Sequence, residues 1–362
     1  MKTAPENGQP ETPLVIPVFI MNGGCPNQCI FCNERIAAGD FSPQITKSFF
    51  DSRVESYLRW SKDKPRRVEI AFYGGNFTGL PVGMQTLLLS WAGNYIRAGA
   101  VHTIRISTRP DYIDAGVLDF LQAHSVATVE IGAQSFNDEV LRLARRGHNA
   151  ACIRQALILL KNKGFTTGIH LMAGLPGDTK ESFVQSLEIT ASLKPDTARI
   201  HPVLVFKDTP LARQWQDGLY HPLGLDEAIH WCALAWETLA PAGIRIIRLG
   251  LQITPEMAAD GALPAGPVHP SLGSLVQAAV FHSATLKLLK DVPHQTKRLE
   301  FSLHPRDISR FRGFRNKNTR AIKKLYPGAQ IVIDSGPTAI CGRITVNTET
   351  TGPFSVDVAG FH

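Results

Sequence analysis

The sequence predicts an α/β fold: a barrel or open partial barrel of parallel strands, followed by a small α+β domain. Two observations carry that expectation. Between residues 15 and 251, short β-branched runs alternate with longer amphipathic stretches, and regular βα alternation gives a parallel sheet covered by helices. The glycine-rich and polar motifs fall just after the β-branched runs, at the strand ends where barrel folds build their sites.

Strands are expected at 15–20, 68–73, 103–107, 128–132, 168–172, 198–202 and 244–249. Helical patterns fill 45–61, 84–98, 113–123, 150–163 and 180–193. Ahead of the first strand, a segment with three prolines and two glutamates reads as a flexible lead-in. The Pro/Gly-rich stretch 261–270 marks a boundary. A helix at 274–289 follows it, then the segments 297–303, 330–334 and 342–347, which with the basic segment read as a small α+β module. The expected division is a tail at 1–14, a barrel at 15–255 and a small basic C-terminal domain at 256–362. With 44% hydrophobic and 19% charged residues, the chain suits a soluble globular protein. No apolar run approaches the ~20 residues of a membrane span. Without an export signal, a cytoplasmic location with reduced cysteines is expected.

The densest chemical signal is Cys25-x-x-x-Cys29-x-x-Cys32, on a loop directly after the first strand, with Phe31 before the last cysteine. Three thiolates on one loop can hold three irons of a [4Fe–4S] cluster and leave the fourth iron open. A structural zinc site normally has four ligands, and no second CxxC or HxxxH pair exists here. A disulfide framework requires an oxidising compartment. Cys152, Cys232 and Cys341 are dispersed and read as ordinary core residues. A methylthiotransferase, which needs three more grouped cysteines for a second cluster, is therefore not expected.

Successive strand ends carry Tyr73-Gly74-Gly75-Asn76-Phe77-Thr78, Ser107-Thr108-Arg109-Pro110-Asp111, Gly132-Ala133-Gln134-Ser135, Arg145-Arg146-Gly147-His148 and Met172-Ala173-Gly174-Leu175-Pro176-Gly177. Taken singly, paired glycines read as a tight turn and two arginines as a solvated helix end. In this order, with the cysteine loop, they form a pattern. The chain resembles the radical S-adenosylmethionine superfamily over residues 15–252. Within it, the string is similar to the branch of the Elongator catalytic subunit and oxygen-independent coproporphyrinogen III oxidase.

The resemblance implies a radical-SAM core, a partial (β/α)6-type TIM barrel, and an enzyme using a [4Fe–4S] cluster and S-adenosyl-L-methionine. By resemblance, Cys25, Cys29 and Cys32 would hold the cluster. Tyr73, Gly74 and Gly75 would lie along the methionine moiety, and Gln134 would face the ribose. Arg146 would pair with the carboxylate, and Met172 to Gly174 would flank the adenine beside Phe31. Ser107, where the branch usually has Glu, would be the polar contact at the third strand. Asn76 stands where the superfamily often has Glu. The implied chemistry is reductive cleavage of S-adenosylmethionine to a 5′-deoxyadenosyl radical, fed by an electron donor such as flavodoxin or ferredoxin. At 362 residues the chain leaves no room for the acetyltransferase domain of the Elongator subunit, so acetyl-donor chemistry is not expected.

The net charge of +7 is uneven. Between Lys297 and Lys324, ten cations face only Glu300 and Asp307, a local +8. Arg310, Arg312 and Arg315 are interleaved with Phe311 and Phe314, a pattern suited to phosphates and stacked bases. The leading expectation is therefore modification of tRNA. Two readings stay open: a small-molecule substrate such as a tetrapyrrole, and a non-catalytic cluster- or haem-binding protein.

Overall fold

The computed structural model describes residues 13–20, 23–26, 29–33, 45–61, 66–336, 338–349 and 351–361. Residues 1–12 of the expected lead-in lie outside them. Seven parallel strands form one sheet in sequence order: β1 (Leu14–Phe19), β2 (Val68–Tyr73), β3 (Thr103–Thr108), β4 (Val126–Gln134), β5 (Thr166–Ala173), β6 (Thr197–Pro202) and β7 (Arg245–Leu249). The edge strands β1 and β7 each pair with a single neighbour, so the sheet curls into a half-barrel and stays open. The expected partial barrel is the observed fold, with β7 as its last strand.

Side chains alternate across each strand, and the two faces have separate uses. One face, with Ile70, Phe72, Ile106, Ile131, Ile169 and Ile200 all fully buried, packs under the helices. The other faces the concave interior and carries the polar residues described below. The helices on the outside are α1 (Lys47–Trp60), α2 (Val82–Arg97), α3 (Ala115–Ala123), α4 (Asp138–Leu143), α5 (Ala150–Asn162) and α6 (Lys180–Leu193). Most start at side-chain caps: Thr46, Asp114, Asn137, Asn149 and Thr179 each accept a hydrogen bond from a first-turn N–H. Such caps satisfy donors that the helix itself leaves open.

Besides the short α4, two longer stretches of the barrel hold helices that were not among those expected, α7 (Pro210–Gln216) and α8 (Leu225–Leu239). The second is buried along most of its length, with Trp231, Cys232, Ala235, Trp236 and Leu239 in the core, so its sequence lacks a clear polar face. After the short α9 (Pro255–Ala258), α10 (Leu272–Leu289) packs against α8. By length and composition α10 alone among the described helices could cross a membrane. Its Val276, Val280, Phe281 and Leu288 instead join the common core cluster.

The C-terminal sheet is separate and mixed: β8 (Arg298–Leu303), β9 (Gln330–Ser335), β10 (Arg343–Thr348) and β11 (Phe354–Asp357), in the order β11-β10-β8-β9. β8 and β9 run parallel, and β10 is antiparallel to both β8 and β11. The short edge strand β11 was not expected from the sequence. Trp236 on α8 donates to the carbonyl of Ala359 at 2.9 Å and stacks on Phe361 with ring centroids 4.6 Å apart, fastening this sheet to the barrel's last helices.

Candidate active site

The three cysteines reach one cavity of about 1210 Å³ that runs along the concave face of the sheet to its C-terminal mouth. Their loop is held from two sides. Ile30 donates to the carbonyl of Ala144 at 3.3 Å, and its own carbonyl accepts from Leu211 at 2.9 Å, tying the loop to the ends of α4 and α7. On the other side lies Asn76, fully buried. Its Nδ2 donates to the carbonyl of Gly24 at 2.8 Å. Its Oδ1 accepts from Thr108 Oγ1 at 2.6 Å and from the Arg109 amide at 3.1 Å. Asn76 thus latches the cysteine loop to β2 and β3, a task needing a donor and an acceptor that a carboxylate at neutral pH cannot combine. Gly24 has φ +73° and a Cβ there would sit 2.2 Å from the Asn76 carbonyl oxygen, so only glycine lets the loop lie this close.

Cys29 is buried, and Arg146 Nη1 donates to its Sγ at 3.0 Å. Nη2 of the same guanidinium donates to the Gly132 carbonyl at 2.5 Å. The chain turns after α4 through Arg145 in the left-handed region, with φ +54°. That turn leaves Arg145 exposed, like an ordinary helix end, and folds Arg146 inward. Arg109 Nη2 in turn donates to the Arg146 carbonyl at 2.6 Å while pairing with Asp111 at 2.8 Å. Gln134 is also in the left-handed region, φ +72°, at a register shift of β4. A non-glycine residue held there is strained, a feature that clusters at ligand sites.

Phe31, Tyr73, Gly74, Gly75, Ser107, Gln134, Arg146 and Met172 all line the cavity with the cysteines. Gly174 does not. It lies one residue beyond β5, where its carbonyl accepts from the Tyr220 hydroxyl at 2.6 Å and its amide donates to Asp178 at 3.3 Å. Phe31 and Met172 pack on the same small apolar cluster around Ile30, Leu175 and Val203, and both line the cavity with apolar side chains. The residues fit the cofactors implied by resemblance. Three sulfur donors converge, and two buried polar atoms, Gln134 Oε1 and Arg146 Nε, have no partner. Buried polar atoms are normally satisfied, so both are suited to a bound polar ligand.

Below this mouth, the sequence-based reading missed a charged network. Glu130, fully buried on β4, accepts from Arg105 at 2.5 Å, Arg199 at 3.1 Å and the Tyr73 hydroxyl at 3.3 Å through Oε1. Its Oε2 lies 2.6 Å from His170 Nε2 and 2.9 Å from Arg199 Nε. Arg105 also pairs with Glu69 at 2.7 Å. Gly168 makes room, since a Cβ there would lie 2.8 Å from Glu130 Cγ. Burial would raise the Glu130 carboxyl, but the His170 hydrogen bond and the charges of Arg199 and Arg105 hold it well below the usual range. Burial and the Glu130 charge push the Tyr73 hydroxyl up. Burial, then repulsion from His170, Arg199 and Arg248, holds His201 neutral, down to about 3.

In the C-terminal segment the expected aromatic pair divides. Phe311 is buried, its ring 4.8 Å from Phe301, because it belongs to the apolar side of the short helix α11 (Ile308–Arg312). This corrects the expectation that both aromatics are available for stacking. Phe314 is 60% exposed with Arg315 over its ring at 5.2 Å. Arg310 is turned inward to Asp307 and Gln277, while the helix α12 (Lys317–Leu325) keeps Arg320, Lys323 and Lys324 on its accessible side.

Comparisons with known proteins agree with this geometry. The family model for the radical SAM superfamily matches residues 19–189, and that for the radical SAM C-terminal domain matches 195–280. A tRNA uridine(34) acetyltransferase of Methanocaldococcus jannaschii is 32% identical over 286 residues, covering 68% of this chain and 52% of that protein. The chain thus spans about half the length of that relative. Elongator complex protein 3 of Saccharomyces cerevisiae is 26% identical, over 54% of this chain and 38% of that one. The solved structure of archaeal Methanocaldococcus infernus Elp3 with an N-terminal deletion shares the fold, with TM-score 0.58 and 22% identity, covering 73% of this chain and 62% of that one. With its cysteine loop, half-barrel and both matching domains, this chain belongs to the radical S-adenosylmethionine superfamily of enzymes, on a branch similar to Elongator protein 3.

Proposed function

We propose that this enzyme reductively cleaves S-adenosylmethionine and uses the product to modify a base of tRNA. The observation that carries the reading is the convergence of Cys25, Cys29 and Cys32 on one cavity with the unpartnered Gln134 Oε1 and Arg146 Nε. When bound, the [4Fe–4S] cluster supplies the electron that splits the sulfonium C–S bond, giving a 5′-deoxyadenosyl radical.

This chain's residues place the reactants. Cys25, Cys29 and Cys32 are the three cluster ligands, with the Arg146 guanidinium neutralising the Cys29 sulfur it touches. Arg146 Nε and Gln134 Oε1 hold the methionine carboxylate and the ribose. Phe31 and Met172 provide the apolar wall for adenine. The Tyr73–Glu130–Arg199 network fixes the Tyr73 side chain in the cavity wall, where it would lie along the methionine moiety. A donor such as flavodoxin or ferredoxin brings the electron in the cytoplasm, and the basic face at 297–324 contacts the RNA backbone. The names of the tRNA-modifying relatives support the choice of RNA.

The test is anaerobic turnover of cluster-loaded protein with S-adenosylmethionine and dithionite, measuring 5′-deoxyadenosine with and without bulk tRNA. A several-fold rise with tRNA is expected. Cluster-dependent product indifferent to tRNA would overturn the RNA reading and turn attention to a small anionic substrate. A loaded cluster giving no product under either condition would overturn the cleavage as well.

A further inference from the structure

The cavity lining contains seven arginines, Arg53, Arg105, Arg109, Arg146, Arg199, Arg245 and Arg248, and no carboxylate among the described residues. Most are engaged, by Glu69, Glu130 and Asp111 behind the wall or by backbone carbonyls. Arg245 and Arg248 are different. Neither side chain makes a hydrogen bond or an ion pair with any described residue.

Their placement is built by a backbone irregularity. In a regular strand, residues three apart point to opposite faces. Along β7 the register runs Thr197↔Arg245 and Ala198↔Ile246, then jumps to Arg199↔Arg248. The extra residue, Ile247, is a bulge, a device that re-aims side chains, and it returns Arg248 to the face that carries Arg245 and Arg199. Arg248 then stands directly across from Arg199, a like-charge pair that is unfavourable by itself. Partial burial and the Arg199 charge both disfavour the charged form of Arg248. Glu130 is already shared by Arg105, His170 and Arg199, and its attraction on Arg248 offsets burial and the Arg199 charge only in part.

We propose that Arg245 and Arg248, with Arg199, form a docking site for a phosphate of the substrate, at the β6–β7 side of the chamber. A guanidinium presents a planar fork of donors that matches phosphate oxygens, and in a walled cleft the attraction is stronger than in open water. The site deepens the function proposed above and rests on this cavity being the substrate chamber. The phosphate can come from a polynucleotide diester or from a mononucleotide, and the chemistry recognised is the same.

The experiment is anaerobic titration of the full, cluster-loaded chain with uridine 5′-monophosphate and, in a second arm, with a five-nucleotide RNA. Wild type is compared with R245Q/R248Q, with R245Q alone at the open edge, and with R248K. The expected result is binding by wild type that weakens at least about tenfold in the double variant, as loss of two charge-assisted contacts implies. R248K should keep part of it. For the RNA, the slope of log Kd against log salt should fall by about 0.7, the contribution of one phosphate contact. Arginine-dependent binding of the mononucleotide points to a monoester, and of the RNA alone to a diester. No binding by wild type in either arm, or binding within twofold in R245Q/R248Q at an unchanged salt slope, would overturn the docking site. Removing facing like charges should leave the thermal midpoint no lower than wild type, which separates lost docking from lost folding. Should R245Q/R248Q bind both probes normally while tRNA still stimulates turnover, the docking site falls and the RNA reading stands. Arginine-dependent mononucleotide binding without any tRNA stimulation gives the reverse.

Discussion

Glu130→Gln is expected to cost the folded protein about 3–5 kcal/mol, the usual effect of removing one partner from a buried ionic network. Glu130 is fully buried and is approached by Arg105, Arg199, His170 and Tyr73 within 3.3 Å. Glutamine has a similar shape but no charge. It would leave Arg105 with Glu69 as its remaining counter-ion, and Arg199 facing Arg248 with none. Urea unfolding should show a lower midpoint with an unchanged slope. Adding Arg199→Met to Glu130→Gln should recover part of the loss, because the second change removes a stranded cation. A loss under about 1 kcal/mol for Glu130→Gln would mean that the network is solvated and does not set the barrel interior.

The second large effect is on the cluster. Cys29→Ala should abolish iron binding, from roughly four irons per chain in the loaded wild type to nearly none. Cys29 is buried in the loop, and its sulfur receives the Arg146 guanidinium. Chemical iron and sulfide analysis after anaerobic reconstitution, with visible absorbance, measures this directly. Cys152→Ala, on the first turn of α5 and outside the cavity lining, should retain the full complement. Equal iron content in Cys29→Ala and wild type would remove the cysteine loop from the cluster.

The strands of the half-barrel were legible because each is a β-branched run bounded by turn residues, and the observed limits differ from the expected ones by only one or two residues. The cavity mouth was legible through motif order. The charged interior was not. Glu69, Arg105, Glu130, His170 and Arg199 occur about one to a strand, each a lone polar residue among apolar neighbours. Only the in-order parallel pairing brings them to one level, where they neutralise one another. Arg245 and Arg248 stand three residues apart, and their common face depends on a bulge that no local pattern announces. Asn76 looked like a missing carboxylate and is instead a two-way latch. Phe311 and Phe314 look alike in sequence, and packing against Phe301 separates them.

Cys25, Cys29 and Cys32 would hold a [4Fe–4S] cluster with one iron left open, and S-adenosylmethionine would bind at that iron. Electron–nuclear double resonance on the reduced, loaded protein, with S-adenosylmethionine carrying ¹⁵N in its amino group, tests it most directly. A hyperfine coupling from that nitrogen is expected. A cluster signal that neither shifts on adding S-adenosylmethionine nor couples to the labelled nitrogen would contradict it.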